Sequence, residues 1–279
     1  MEVQVVFSQQ IRRFSQWLRS DVAPGTTSAR TGTPVSCPTP ARYPSRAPSS
    51  RRRPRSISLE AMEPRLLMTA DPIWVGGVYV EDDSGTDQHG DSFYITFKGG
   101  APGTQLTRLV IDGDLNTPGF GLGDLFFDTV ESGYGADHAS GFKITKLETA
   151  NPNATVNVSV VDGSSKLILD FTNFQAGDTL IFQVDVDEVQ SFDPNETDLE
   201  VLNSGFDPIT SGVEFQNSLL KAEFSAAHYE NTSGQTKFLN RYDPLLEPSG
   251  LPLPDDNFEG KRDRSAGTAF SLQQVPKPV

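Results

Sequence analysis

The sequence contains a single cysteine among its 279 residues, Cys37, and so cannot form an internal disulfide. No Cys and His residues stand at the spacing of a structural zinc site. Runs of about 18 to 20 apolar residues, which a membrane-spanning helix requires, are also lacking. These absences exclude an integral membrane protein with spanning helices, and they give no support to a fold held by disulfides or zinc.

Basic residues and histidines are scarce as well. Lys and Arg together number 23 against 37 Asp and Glu, which gives a net charge of −14. Because phosphate repels a strongly acidic surface, we do not expect the chain as a whole to bind nucleic acid. The three histidines, His89, His138 and His228, are not accompanied by a G-x-S-x-G nucleophile motif. We therefore predict that the protein is not an enzyme.

Charge is divided unevenly along the chain. Residues 1–70 contain eleven Arg, no Lys and four acidic residues, for a net charge of +7. Residues 71–279 contain 12 basic and 33 acidic residues, for a net charge of −21. The first part also holds eight of the 20 prolines and, over 23–55, almost nothing to bury, so we predict a disordered basic leader over 1–70. The rest is long enough for one large domain, which we place at 71–275, with 276–279 as the start of a linker or a frayed end.

The acidic part shows the alternation of β-strands rather than the period of helices. Segments 74–80, 93–97 and 106–111 have strand character, and a later stretch predicts three successive strands with turns at 162–165 and 177–178. The side chains predicted to be buried on these three strands are Val156, Val158 and Val160, then Leu167, Leu169 and Phe171, then Leu180, Phe182, Val184 and Val186. After Tyr242 the regular pattern fades. We predict an all-β fold, an antiparallel β-sandwich, with a barrel as the alternative.

A distinctive segment, residues 56–71, lies at the junction of the two parts. It contains Glu63-Pro64-Arg65 followed by Leu66-Leu67. This segment resembles the LEPR-XLL segment found near the N-terminus of large, often repetitive bacterial surface proteins. It departs from that family at Met62 and Met68, where leucine is usual. The acidic part, for instance residues 185–189, is also similar to the N-terminal β modules of such proteins.

The resemblance implies export to the bacterial cell surface or the extracellular medium, and it implies no catalytic residues. The expected function is a non-enzymatic display or adhesion module, the N-terminal part of a larger surface protein. Its expected partners are other modules of that protein or polymers of the cell envelope and the extracellular medium.

The alternative is a carbohydrate-binding module or a subunit of a carbohydrate-active hydrolase. In that case acidic loops and the tyrosines Tyr134, Tyr229 and Tyr242 would contact a sugar. Exposed rings grouped on one face would favour this alternative, whereas dispersed or buried rings favour display.

Acidic residues are densest at loops and strand ends, where carboxylate oxygens can surround a hard cation such as calcium. On the strand that ends near residue 189, alternation places Asp185 and Asp187 on one side, away from Val184 and Val186. The candidate calcium ligands are Asp185, Asp187, Glu188 and Asp193 at this strand end, and Asp82, Asp83 and Asp87 in the loop between the first two strands. The competing interpretation is a solvated acidic surface that keeps the domain soluble.

A further acidic stretch resembles the beginning of an EF-hand loop. Asp112, Asp114 and Asn116 have the spacing of its first three ligands. Thr117 and Gly123 then stand where the loop needs its glycine and its bidentate glutamate, so the sequence excludes an EF-hand.

Overall fold

The computed structural model describes residues 70–81, 89–115, 119–240, 246, 251 and 264–278. All of them belong to one compact unit, residues 63–279. The predicted leader and the segment 56–71 lie outside the described residues, apart from Ala70 and Asp71.

The described elements are twelve strands and one short helix. In chain order they are β1 (Ile73–Val80), β2 (Asp91–Lys98), β3 (Gln105–Asp112), β4 (Leu125–Asp128), β5 (Lys143–Glu148), β6 (Thr155–Val160), β7 (Lys166–Gln175), β8 (Thr179–Val189), α1 (Leu199–Asn203), β9 (Phe206–Pro208), β10 (Leu219–Ala226), β11 (Tyr229–Lys237) and β12 (Ser265–Leu272).

The strands form two antiparallel sheets. One has the order β12-β1-β2-β8-β4, with β5 and β9 also paired to β8, and the other has the order β11-β10-β3-β7-β6. The long strand β8 pairs through its first half with β2 and β5, and through its second half with β4 and β9. The two sheets pack together without closing into a barrel within the described ranges, so the predicted antiparallel sandwich is confirmed.

Alternate side chains of both sheets fill the space between them. On β7 and β8 the buried positions include Leu167, Leu169, Leu180 and Phe182, as the alternation predicts. The two sheets meet through aromatic contacts such as Phe97 on β2 against Phe224 on β10, with ring centroids 5.1 Å apart.

The prediction for β6 is wrong at its centre. Val158 is 41% exposed, and Val156 and Val160 are only partly buried. The cause is position, because β6 ends the five-stranded sheet and pairs only with β7. A strand with a neighbour on one side only is covered less completely than an interior strand.

The C-terminal part of the chain is more regular than its sequence indicates. Strand β12 pairs with β1 along its whole length, from Leu272 opposite Ile73 to Ser265 opposite Val80. Its pattern is hidden because small residues such as Ala266 and Ala269 occupy its buried positions.

Pairing also continues past the predicted domain boundary at 275. Pro276 forms a β-bridge with Tyr229, and the Lys277 N–H donates to the His228 carbonyl at 2.9 Å. Residues 276–279, predicted to begin a linker or a frayed end, thus start with two residues that contact the β10–β11 turn region through their backbone.

Helix makes up little of the described structure. Helix α1 has five residues and is capped by Asp198, whose side chain accepts the Glu200 N–H. Among the residues that the structure describes, no helix has the length and apolarity to cross a membrane.

Candidate functional site

Three buried aspartates lie together on neighbouring strands at one end of the seven-stranded sheet. Asp185 on β8 is directly opposite Asp128 on β4, and Asp187 follows two residues later on the same face of β8. Their exposed fractions are 1% for Asp185, 4% for Asp128 and 0% for Asp187. Because Val184 and Val186 point into the main core, this carboxylate cluster (Asp128, Asp185 and Asp187) faces away from it.

A second apolar layer explains why the outer face is buried. Phe126, Val189 and Phe206 form a separate core cluster on this side, with Phe120 and Phe192 packed against it. The rings of Phe126 and Phe206 are 4.7 Å apart. The sequence predicts that the aspartates point away from the main core, and the structure confirms this direction. The second apolar layer nevertheless buries them.

The loop of residues 129–142 lies over the carboxylate cluster. The Ala136 N–H donates to Asp187 Oδ2 at 2.8 Å, which joins the loop to β8. The loop can approach closely because it carries glycines, and a Cβ at Gly135 would overlap Asp128 Oδ2. From the outer side, Asn203 of α1 holds the loop through its Nδ2, which donates to the Gly133 carbonyl at 2.9 Å.

A fourth aspartate, Asp162, organises the start of this loop. Its Oδ1 accepts the N–H groups of Thr129 at 2.8 Å and Val130 at 3.0 Å, and its Oδ2 accepts the Tyr134 N–H at 2.8 Å. The same Val130 N–H also donates to Asp128 Oδ1 at 3.2 Å. The carboxyl groups of Asp128 and Asp162 thus share the Val130 N–H as a hydrogen-bond donor.

The pKa of Asp128 is raised to about 7, chiefly by burial. The hydrogen bond from the Val130 N–H lowers this pKa, and the neighbouring Asp162 and Glu131 carboxylates raise it. This carboxyl group therefore takes up a proton at a much higher pH than an ordinary aspartate does. The cluster has two ways to reduce repulsion among its carboxylates, namely a proton on Asp128 or a bound cation.

A cleft of about 540 Å³ opens beside the cluster. Its lining includes Asp128, Asn203 and Asp207, together with Glu131 and His138. His138 Nδ1 lies 3.1 Å from Glu131 Oε1, and this hydrogen bond lowers the pKa of the Glu131 carboxyl. The cleft gives solvent and small ions access to the loop that covers the carboxylates.

The other predicted calcium ligands lie elsewhere or outside the described residues. Glu188 is on the opposite face of β8, and burial, followed by Glu214 and Asp207, raises its pKa. Asp193 is exposed, and its Oδ1 accepts the N–H of Asn195 in the same turn at 2.9 Å.

The three remaining candidates, Asp82, Asp83 and Asp87, lie outside the described residues. The structure thus brings together Asp185 and Asp187 and adds Asp128, which sequence reasoning missed. No local pattern marks Asp128, because its place depends on the register of β4 against β8. Within the described ranges, no three His, Cys, Asp or Glu side chains are arranged to hold one metal ion, and the calcium assignment stays a prediction.

We expect Asp128→Asn to stabilise the domain at pH 8, measured in EDTA, and to lose this advantage as the pH falls. The folded-state pKa is raised from 3.8 to about 7, so the stabilisation that protonated Asp128 contributes is full below about pH 4 and is lost as the pH rises through 7. An amide stays neutral throughout. The gain at pH 8 should be roughly 1 to 2 kcal/mol, since the adjoining cleft lets solvent screen the charge.

Urea unfolding at pH 8 and pH 4.5 measures this difference. The matched control is Asp170→Asn on β7, whose side chain is 51% exposed. Its exposed side chain pairs with Arg108 at 3.7 Å, so it should change the free energy of unfolding by no more than about 0.5 kcal/mol. A gain for Asp128→Asn that did not depend on pH would contradict the raised pKa.

Comparisons with known proteins add no relative. No family model matches the chain, and neither the curated proteins nor the solved structures contain a match to it. The resemblance of residues 56–71 to the LEPR-XLL segment therefore stays a prediction.

Proposed function

We propose that this chain is the N-terminal part of an exported bacterial surface protein and that its acidic sandwich is a non-enzymatic module for display or adhesion. The LEPR-XLL-like segment stands directly before the domain and supports export. The net charge of −21 over residues 71–279 supports a role in which the domain stays soluble and extended from the surface. Its partners are other modules of the same protein or polymers around the cell.

The exposure of the aromatic rings is the observation that favours display over sugar binding. Among the described residues, the only exposed large aromatic side chain is Tyr134, at 37%. Tyr229 is 3% exposed and packs with Ala101 and Ala226, and Tyr242 lies outside the described residues. A sugar-binding platform needs several exposed rings on one face, so this distribution favours display.

We further propose that calcium binds beside Asp185 and Asp187, which share one buried face of β8. Neighbouring carboxylates on one face repel each other, and a divalent cation would reduce that repulsion in the folded state only. Calcium takes six to eight oxygen ligands, of which backbone carbonyls and water commonly supply several, so it does not require three or more carboxylates. The donor set, which is all oxygen, fits a hard cation.

Surface exposure is the direct test of the proposed function. The full chain, expressed in a bacterial host with its leader intact, should be labelled on unbroken cells by antibodies against the sandwich and removed by external protease. A matched variant with Glu63→Ala, Pro64→Ala and Arg65→Ala should stay inside the cell. Equal retention of both chains in the cytosol would contradict the proposal.

A further inference from the structure

Strand β6 has a backbone edge that no other described strand covers. It ends the five-stranded sheet and pairs with β7 on one side only. All six of its residues, Thr155–Val160, pair with β7 without a register shift. Along such a strand every second residue points its N–H and C=O groups away from the neighbouring strand. Strand β6 therefore presents a regular row of backbone donors and acceptors to which another strand can add.

Other ends of the two sheets are protected against such pairing. Strand β5, which pairs only with β8, carries Lys143 and Lys146, and its register shifts between Ile144 and Lys146. Strands β11 and β12 contact each other, with Thr236 Oγ1 and Thr268 Oγ1 3.0 Å apart. Lysines, prolines and bulges are the usual means by which proteins block an exposed edge. Strand β6 has none of them, since it contains no charged residue, no proline and no bulge.

The absence of charge at this edge contrasts with the rest of the domain. Residues 149–161 contain no charged side chain, whereas residues 71–279 carry a net charge of −21. Apolar surface is exposed here as well, at Val158 (41%) and Val161 (68%). Two copies of the domain repel each other over an acidic surface, but at β6 they can meet without bringing like charges together. A basic partner, in contrast, finds no carboxylate on β6 to bind.

We propose that β6 pairs antiparallel with β6 of a second copy of this chain and so joins two five-stranded sheets into one. Val156, Val158 and Val160 share the inner face of β6, opposite the buried side chains of β7. A pair centred on Val158 places this residue opposite its equivalent in the second copy and Val156 opposite Val160. Cross-strand pairs of β-branched residues favour such a register. The strand sequence is thus complementary to itself, and this is the reason for a second copy as the partner.

The proposed pairing closes at two copies. Each copy uses the same edge, so the interface is isologous and leaves no β6 edge free for a third copy. A contact of one short strand is small, and we expect a dimer that dissociates on dilution. This inference does not depend on surface display.

Sedimentation equilibrium of the full chain over a range of concentrations tests the dimer. The wild type should pass from monomer to dimer as its concentration rises. Val158→Lys should raise the dissociation constant at least tenfold, because two like charges would then lie directly opposite each other. The matched control is Val275→Lys, at a valine that is 62% exposed and whose carbonyl accepts the Glu230 N–H of β11, at the other end of the sheet. It should dimerise as the wild type does.

Two further measurements exclude other causes of a difference. Urea unfolding at concentrations where the wild type is monomeric should give the same stability for Val158→Lys, which shows that the variant folds. The basic residues 1–70 of one copy could also attract the acidic domain of another. That attraction weakens in about 1 M sodium chloride, where the Debye length is about 3 Å, whereas pairing of an uncharged strand persists. A wild type that is monomeric at every concentration, a dimer lost in salt, or an unchanged dissociation constant in Val158→Lys would overturn the inference.

Disulfide cross-linking tests the register. In a chain with Cys37→Ser, Val158→Cys should form a covalent dimer under mild oxidation, because directly opposite Cα atoms lie about 5 Å apart, within disulfide range. Asn157→Cys is the matched control. In the proposed register this position lies opposite Ser159 of the second copy, so it should cross-link at least tenfold more slowly. Equal cross-linking at the two positions, or none at either, would contradict the proposed pairing.

Discussion

Replacing Phe182 by aspartate should reduce the free energy of unfolding by about 5 kcal/mol or more. Phe182 is fully buried on β8. Its ring stacks on Phe93 with centroids 4.9 Å apart and an interplanar angle of 3°, and Phe142 packs against it at 5.0 Å. Aspartate leaves a cavity in place of the ring and puts a charge into the core, and each of these effects alone costs several kcal/mol.

Val158→Asp is the matched control for this substitution. It introduces the same side chain on the neighbouring sheet, but at an end strand where the valine is 41% exposed. We expect a change of no more than about 0.5 kcal/mol, as for other surface substitutions. Urea unfolding followed by far-UV circular dichroism measures both variants. Equal destabilisation by the two, or none by either, would show that the burial pattern described for β6 and β8 is wrong.

Calcium should stabilise the protein more than sodium chloride at the same ionic strength does. Screening by salt acts on all exposed charges alike, whereas a bound ion stabilises only the folded state. At a calcium concentration of a hundred times its dissociation constant, the contribution of one site is about 2.7 kcal/mol. The double variant Asp185→Asn with Asp187→Asn should lose this contribution, which thermal unfolding in calcium and in EDTA measures.

The double variant should respond to calcium only as it responds to sodium chloride. If the wild type itself responds equally to the two salts, the aspartates are a buried structural feature without a bound ion, and the calcium proposal is wrong.

The strands of the centre of the sandwich can be predicted because their pattern is local. Alternation along β7 and β8 marks Leu169 and Phe182 as buried without knowledge of any other strand. The same rule fails for Val158, because exposure at the end of a sheet depends on which strands lie beside it. It also misses β12, where alanine and glycine make a buried strand look like a loop and only pairing with β1 orders it.

The same distinction between local pattern and tertiary contacts applies to the candidate site. Alternation alone puts Asp185 and Asp187 on the face of β8 away from the main core, because successive side chains of any strand point to opposite sides. The tertiary structure decided that Asp128 stands opposite Asp185, that an aromatic layer and the loop 129–142 bury all three carboxylates, and that Asp193 is left in an exposed turn. These features depend on how β4 and β8 are aligned and on which distant segments cover them. The alternation of side chains, in contrast, is a property of each strand by itself.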